Sequence, residues 1–339
     1  MKLIIKWIIG IIIGYTGLLW LVKSLRKGRI TILCYHRVLD DTRMKDYYRP
    51  AVAISVSTFE KQMKVLQEHK VISLEKAMDL LQKERQLSNH NMVITFDDGY
   101  MDNYENAFPV LRECNLPATI FLTADYIDSN RLLWTDEVGM LLEESWDAFL
   151  QTELFRTLKE TGISDNKVTL INEILSTLKK MDEDTRNAAI ARLKEDIECS
   201  VEIAALMLTW GQVREMILKG ISFGAHTKSH RFLTTLVLSE REAEIKESKD
   251  IIEKHINSKV LSFAYPDGRF SDECKNIVEE SGFQGACSII TGDNVPGCDL
   301  FALKRRDIGE DVCINPFGRF SNALFLMEIS GIYDIFRRR

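Results

Sequence analysis

Two short runs in this 339-residue chain carry residue types that can do chemistry. The first is Thr95-Phe96-Asp97-Asp98-Gly99, two adjacent carboxylates closing an apolar stretch. Side chains of a strand alternate between its two faces, so both carboxylates enter one cleft only where the chain turns sharply, and Gly99 permits that turn. Asp and Gly are also common turn formers, so this run alone divides evenly between a site and a plain turn. The second run is His226-Thr227-Lys228-Ser229-His230. Four-residue spacing brings two imidazoles to one helical face or across one turn, near enough to share a metal. No glutamate follows His226, so this is not the HExxH helix of a zinc protease. By itself the pair reads more often as structural histidines than as ligands. Together the runs offer more. A carboxylate and two histidines from neighbouring strand ends make a facial triad with positions left for water and substrate, and the spare carboxylate stands as a base. His36, in Tyr35-His36-Arg37, also follows a β-rich run and reaches the same face if that strand shares the sheet.

The elements that must position these residues alternate. Strands are expected at 30–33, 92–96, 118–123, 221–225, 260–265 and 284–290. Helices are expected from Ser57 or Thr58 onward and over 104–113, 240–256 and 272–280. Strand–helix–strand alternation predicts a parallel α/β sheet or barrel, whose sites lie at the strand C-termini. Residues 126–209 break the pattern with charged, helix-forming sequence and read as a helical insertion. The expected division is an N-terminal segment 1–27, barrel parts 28–125 and 210–316 around that insertion, and an amphipathic basic tail 317–339. In the tail, Phe325, Ile329, Ile332 and Phe336 share one helical face, which favours docking on the barrel over lying on a membrane.

Composition excludes several classes. Fifty acidic against 44 basic residues give a net charge of −6, with 45% hydrophobic and 28% charged residues. That is the balance of a folded protein, not of a disordered tail, a collagen-like fibre, a polytopic transporter or a dedicated nucleic-acid binder. Seven cysteines without a CxxC pair read as small buried hydrophobes, not a disulfide scaffold. Residues 3–22 are apolar apart from Lys6, Tyr15 and Thr16, with Trp7 and Trp20 near the ends, and no small-x-small cleavage site follows. This predicts an uncleaved N-terminal transmembrane helix. The flanking positive charges favour a cytosolic main domain.

The TFDDG run at 95–99, the H[ST]xxH run at 226–230, Pro117-Ala118-Thr119-Ile120-Phe121 and Phe263-Ala264-Tyr265-Pro266-Asp267-Gly268 together resemble the polysaccharide deacetylases, carbohydrate esterase family 4 with the NodB homology domain. The resemblance covers roughly 88–130 and 208–310. It implies a distorted (β/α) barrel of about seven strands that hydrolyses N-acetyl groups on a glycan. By position it makes Asp97 the catalytic base and Asp98, His226 and His230 the ligands of a divalent metal, zinc first, with cobalt, nickel or manganese as alternatives. No histidine follows His255, so the family's late acid histidine is absent. That departure fits the subgroup acting on poly-N-acetylglucosamine, whose acid lies early in a Tyr-His context, and His36 matches it. Substrate contacts are expected from Tyr265, Pro266, Asp267 and Arg306. Many members place an arginine where Ala264 stands and a tyrosine where Asp267 stands. Arg305 or Arg306 is the candidate to replace that arginine in space. An N-acetylated glycan, the membrane through the N-terminal helix, and polysaccharide synthesis or export proteins are the expected partners. Family habit places the catalytic domain outside the cytoplasm. The rival reading is a catalytically silent, membrane-anchored glycan- or partner-binding module.

Overall fold

The computed structural model describes residues 7, 9, 10, 27–83, 86–160, 166–197, 206–332 and 334. Its chain divides into two compact units, one of Met1–Asp41, Ala51–Ser129 and Met207–Arg339, the other of Thr42–Pro50 and Asn130–Leu206. Among the described residues the first is built on ten strands: β1 (Ile30–Tyr35), β2 (Arg37–Leu39), β3 (Ala53–Ser55), β4 (Lys70–Val71), β5 (Asn91–Phe96), β6 (Thr119–Leu122), β7 (Ser222–Ala225), β8 (Ser262–Ala264), β9 (Gly285–Thr291) and β10 (Leu303–Asp307). β1 pairs in parallel with both β5 and β10, which closes seven strands in the order β1-β10-β9-β8-β7-β6-β5. Closure removes every edge among these seven and sends all their C-terminal ends to one rim. β4 adds beside the N-terminal half of β5, whose C-terminal half pairs with β6, while β2 and β3 form a separate parallel pair.

Alternation along the strands sorts side chains between two cores. Ile30, Ile32, Val93, Phe121, Ala264, Cys287 and Leu303 form the inner core, plugged by Leu74, Ala77, Met78 and Leu81 of the helix Leu74–Lys83. Leu33, Tyr35, Met92, Ile94 and Phe96 point outward and pack under helices such as Val56–Leu66 and Leu238–Ile256. Thus Val93, Thr95 and Asp97 lie on the inward row of β5. In the second unit Leu170, Ile171 and Ile174 of the helix Lys167–Leu178, and Ile190 and Leu193 of the helix Glu183–Ile197, are buried. Gly139 there leaves room for the Tyr48 ring, whose hydroxyl donates to the buried Asp136.

Some expectations need correction. A seventh barrel strand, β10, lies at 303–307, and the helices Leu74–Lys83 and Trp210–Ile217 belong to the barrel unit without having been expected. Their patterns are short: β10 holds Lys304, Arg305, Arg306 and Asp307, with one apolar residue in five. In the tail, Phe325 and Ile329 are buried in the core on the helix Asn322–Ile329, whereas Phe336 lies outside the described residues. No helix among the described residues is long and apolar enough to cross a membrane. The expected anchor lies outside the described residues apart from Trp7, Ile9, Gly10 and Lys27.

Gly224 marks how tightly the interior is filled below the rim. A Cβ there would come within 2.4 Å of Phe121 and 2.8 Å of Ser262 Oγ, both fully buried neighbours. Gly224→Ala is expected to destabilise the protein by about 1–3 kcal/mol through overpacking. Denaturant titration should show a lower midpoint at an unchanged slope.

Candidate active site at the barrel rim

Asp97 continues the inward row of β5 and is 3% exposed. If β5 simply continued, Asp98 would point outward. Instead Asp98 and Gly99 both adopt positive φ, +76° and +85°, and this turn brings the second carboxylate to the rim as well. A Cβ on Gly99 would meet Leu122 Cδ2 at 2.9 Å, so the turn is also sterically reserved for glycine.

β7 delivers His226, whose amide donates to Leu122 O, and the loop after it curls back through positive φ at Thr227 and His230. The buried Glu244 on Leu238–Ile256 grips that loop: its carboxylate accepts the Ser229 amide at 2.8 Å and the Ser229 hydroxyl, while its carbonyl accepts the Lys228 amide. The curl places His226 Nε2 3.4 Å and His230 Nε2 3.2 Å from Asp98 Oδ1.

This donor set fits a metal ion. Two ligands about 2.1 Å from one ion and about 90–110° apart stand about 3.0–3.4 Å from each other, which is the spacing found. The tautomer fits too. His226 Nδ1 lies 2.8 Å from Ala264 O, a carbonyl that can only accept, so Nδ1 carries its proton and Nε2 is left to face the carboxylate. Two lone pairs at 3.4 Å repel, so the geometry demands positive charge between them, from a proton or a metal. Burial works against a charged His226, but the Asp98 hydrogen bond and the charges of Asp97 and Asp98 overcome it and raise its pKa. Burial likewise pushes Asp98 up, and its hydrogen bonds to both histidines hold it well below the usual carboxylate range.

Asp97 is held differently. Arg305 Nη1 and Nη2 each donate to one of its oxygens at 2.6 Å, a two-point ion pair inside the barrel. Arg305 is completed by bonds to Ser288 O and Thr95 Oγ1, and its guanidinium sits 5.7 Å from the Phe121 ring centroid. Burial alone would raise Asp97; the Arg305 charge, with His226 next, brings it down to about 2. Cys34 Sγ donates to the same carboxylate at 3.6 Å. Half-buried His36, just beyond β1, completes a group of Cys34, His36 and Asp97 whose ligand atoms lie within 4.8 Å of one another. That group is a poorer cation site than Asp98, His226 and His230. Burial pushes the Cys34 thiol well up, and Asp97 is already neutralised by Arg305.

Of the expected site residues, Asp97, Asp98, His226, His230 and His36 converge on the rim. Tyr265 and Pro266 do not present side chains there as surface contacts. Tyr265 is fully buried, stacked on Phe270, with its hydroxyl donating to Phe301 O, and Pro266 is buried in the same turn. Asp267 is half-buried at φ +55° and pairs with Arg269. Arg306 needs correction as a substrate contact. Neighbours on a strand face opposite ways, so with Arg305 inward Arg306 turns outward, fully buried against Asp293 and Asp334. The residue that sequence reasoning left undecided is therefore Arg305. Only recognition of β10 as a strand would have separated the two arginines.

The polysaccharide deacetylase family pattern matches residues 84–286, and the chain belongs to that family, a class of deacetylase hydrolases. YxkH of Bacillus subtilis, which bears the polysaccharide deacetylase name, is 21% identical over 305 residues, 89% of this chain and 80% of its own. The poly-β-1,6-N-acetyl-D-glucosamine N-deacetylase of Staphylococcus epidermidis is 26% identical over 139 residues, 38% of this chain and 47% of its own. Two solved structures show the same fold. Streptococcus pyogenes deacetylase PplD, in complex with acetate, has a TM-score of 0.57 at 20% identity, covering 86% of this chain and 96% of that one. IcaB from Ammonifex degensii has a TM-score of 0.55 at 20% identity, covering 84% and 94%.

Two substitutions separate site from scaffold. Glu244→Ala should weaken zinc binding about 10–100-fold, read by competition with a chromogenic chelator, because the loop presenting both histidines loses its anchor. Arg306→Met should lower stability by about 1–4 kcal/mol, because the buried cation shared by Asp293, Glu328 and Asp334 is removed while Asp293 keeps the Thr31 hydroxyl and Arg29 at 3.7 Å. Its kcat/KM per folded molecule should match the parent.

Proposed function

We propose that this chain hydrolyses the acetamide of N-acetylglucosamine units in a polysaccharide, releasing acetate and leaving a free amine. The observation that carries this reading is the convergence at one rim of a metal-binding trio, a separately ionised carboxylate and a histidine. Asp98, His226 and His230 would hold a divalent metal, zinc being favoured by two imidazoles and one carboxylate. Such an ion supplies positive charge that polarises an amide carbonyl and makes water a stronger acid.

The remaining work falls to this chain's own side chains. Asp97, kept ionised and oriented by Arg305, takes the proton of the attacking water as its oxygen bonds to the acetyl carbon. His36, as imidazolium, gives a proton to the nitrogen while the C–N bond breaks, since an unprotonated amine leaves poorly. The water oxygen ends in acetate. Backbone N–H groups at the rim share the negative charge that develops on the carbonyl oxygen. The poly-N-acetylglucosamine class is supported by the early position of His36 and by the named activity of the Staphylococcus epidermidis relative. Segment 1–27 serves as a membrane anchor in this reading, supported by the apolar run 3–22, and family habit, against the flanking charges, sets the barrel on the extracytoplasmic side. A silent binding module is the reading a missing arginine at 264 favours, and Arg305 on Asp97 supports an active one instead.

Acetate release from N-acetylglucosamine oligomers tests this. Chelated protein should be inactive and regain activity with Zn²⁺ or Co²⁺. Asp98→Asn should lose both metal and activity. Asp97→Asn should keep metal while turnover falls by about 10²-fold or more. Full turnover in Asp97→Asn would remove the base assignment.

A further inference from the structure

His36 stands in a gap. It follows the last residue of β1 and precedes the first of β2, so its carbonyl has no place in either ladder. That carbonyl is taken instead by a side chain: Asn103 Nδ2 donates to His36 O at 2.8 Å. Asn103 is fully buried, and its other amide atom, Oδ1, has no hydrogen-bond partner. A flipped amide would not cure this. It would turn Oδ1 onto His36 O and onto Asp102 Oδ1, which lies 3.2 Å from Nδ2, and all three are acceptors. The orientation of the amide is therefore set by its two acceptors, with the donor held on residue 36.

The neighbours of Asn103 act on the same few peptide units. Asp102 accepts the Val38 amide at 2.9 Å and Arg37 Nε at 2.8 Å, and the Arg37 guanidinium lies 4.6 Å from the Tyr100 ring centroid. Asn106 Nδ2 donates to Val38 O at 2.7 Å. These residues come from the segment that leaves the Asp97-Asp98-Gly99 turn. It begins not as a regular α-helix but as a π-turn over Asn103–Ala107, a wider coil that is frequent at functional sites. One segment thus carries Asp97 at one end and grips the main chain of His36 from the other. The distance from base to imidazole is set within a few peptide units.

We infer that Asn103, backed by Asp102, is a positioning residue that fixes His36 for proton donation to the departing amine. This rests on the acid role proposed for His36. The test is a double-mutant cycle on the metal-loaded full-length chain, with acetate release from N-acetylglucosamine oligomers as the assay. Asn103→Asp keeps the shape and removes the donor. It should lower kcat about 10–100-fold, the scale of a small misplacement of a reacting group, with KM within about threefold and metal content unchanged. In a His36→Ala background the same substitution should cost less than about twofold more, because the residue it serves is gone. A full additional loss in that background overturns the positioning role and leaves the acid role standing. Unchanged kcat in His36→Ala alone overturns the acid role and this inference with it. Should Asn103→Asp not fold, Asp102→Asn replaces it with the same prediction: a kcat loss that disappears in the His36→Ala background supports the inference, and a persistent loss refutes it.

Discussion

A carboxylate inside a dry barrel stays charged only if an opposite charge shares its space, and the rim of this protein is organised around that requirement. Asp97 and Arg305 are both almost wholly buried, and each of the two Nη atoms meets its own oxygen. Taking two such charges out of water costs several kcal/mol apiece, so a buried pair is weak grounds for stability on its own. What the pair secures is a state. The Arg305 charge lowers Asp97 to about 2, so it is ionised at neutral pH, and its two oxygens are fixed in direction. The strands that supply the partners, β5 and β10, are not neighbours; β1 lies between them and pairs with both. Barrel closure through β1 is therefore what allows the ion pair to form.

Charge accounting across the rim then explains why two neighbouring carboxylates do different things. Asp97 is cancelled by Arg305. Asp98, one residue on, faces two imidazole nitrogens and, among the described residues, pairs with no lysine or arginine. With neutral imidazoles that subsite keeps one negative charge and three converging lone pairs, the donor set a divalent ion accepts. Cys34 adds no charge to the balance, since burial keeps its sulfur a thiol. The left-handed turn at Asp98-Gly99 enforces this split, because it rotates the second carboxylate away from Arg305 and toward the β7 loop.

How much of this could be read from the chain follows from how local each signal is. Asp97, Asp98, His226 and His230 sit in two runs of five residues, and the strand ends that carry them are apolar enough to be seen, so the metal trio and the barrel were both legible. Glu244 and Asn103 were not. Each acts on a loop 15 or 67 residues away in the chain, from a helical stretch whose own pattern gives no sign of it. Arg305 falls between these cases. The need for an arginine was readable from the alanine at 264, but choosing between two adjacent arginines required knowing that they lie on a strand. β10, with four charged residues in five, hides that fact: Arg305 is paired inside the barrel and Arg306 is covered by Asp293 and Asp334. The ordinary rule that charges mark solvent-facing positions fails at both.

The alanine at 264 and the arginine at 305 are best understood as one feature. Ala264 belongs to the inner core with Phe121, Cys287 and Leu303, and the Phe121 ring centroid lies 5.7 Å from the Arg305 guanidinium. One carboxylate in that space balances one guanidinium. A second would be left buried without a partner, a cost of several kcal/mol that packing could not offset. A small residue at 264 is compatible with Asp97 being held from β10. Nothing is lost at β8 by the exchange. What that strand still gives the rim is the Ala264 carbonyl on His226 Nδ1, a main-chain contact that any side chain at 264 would have left in place.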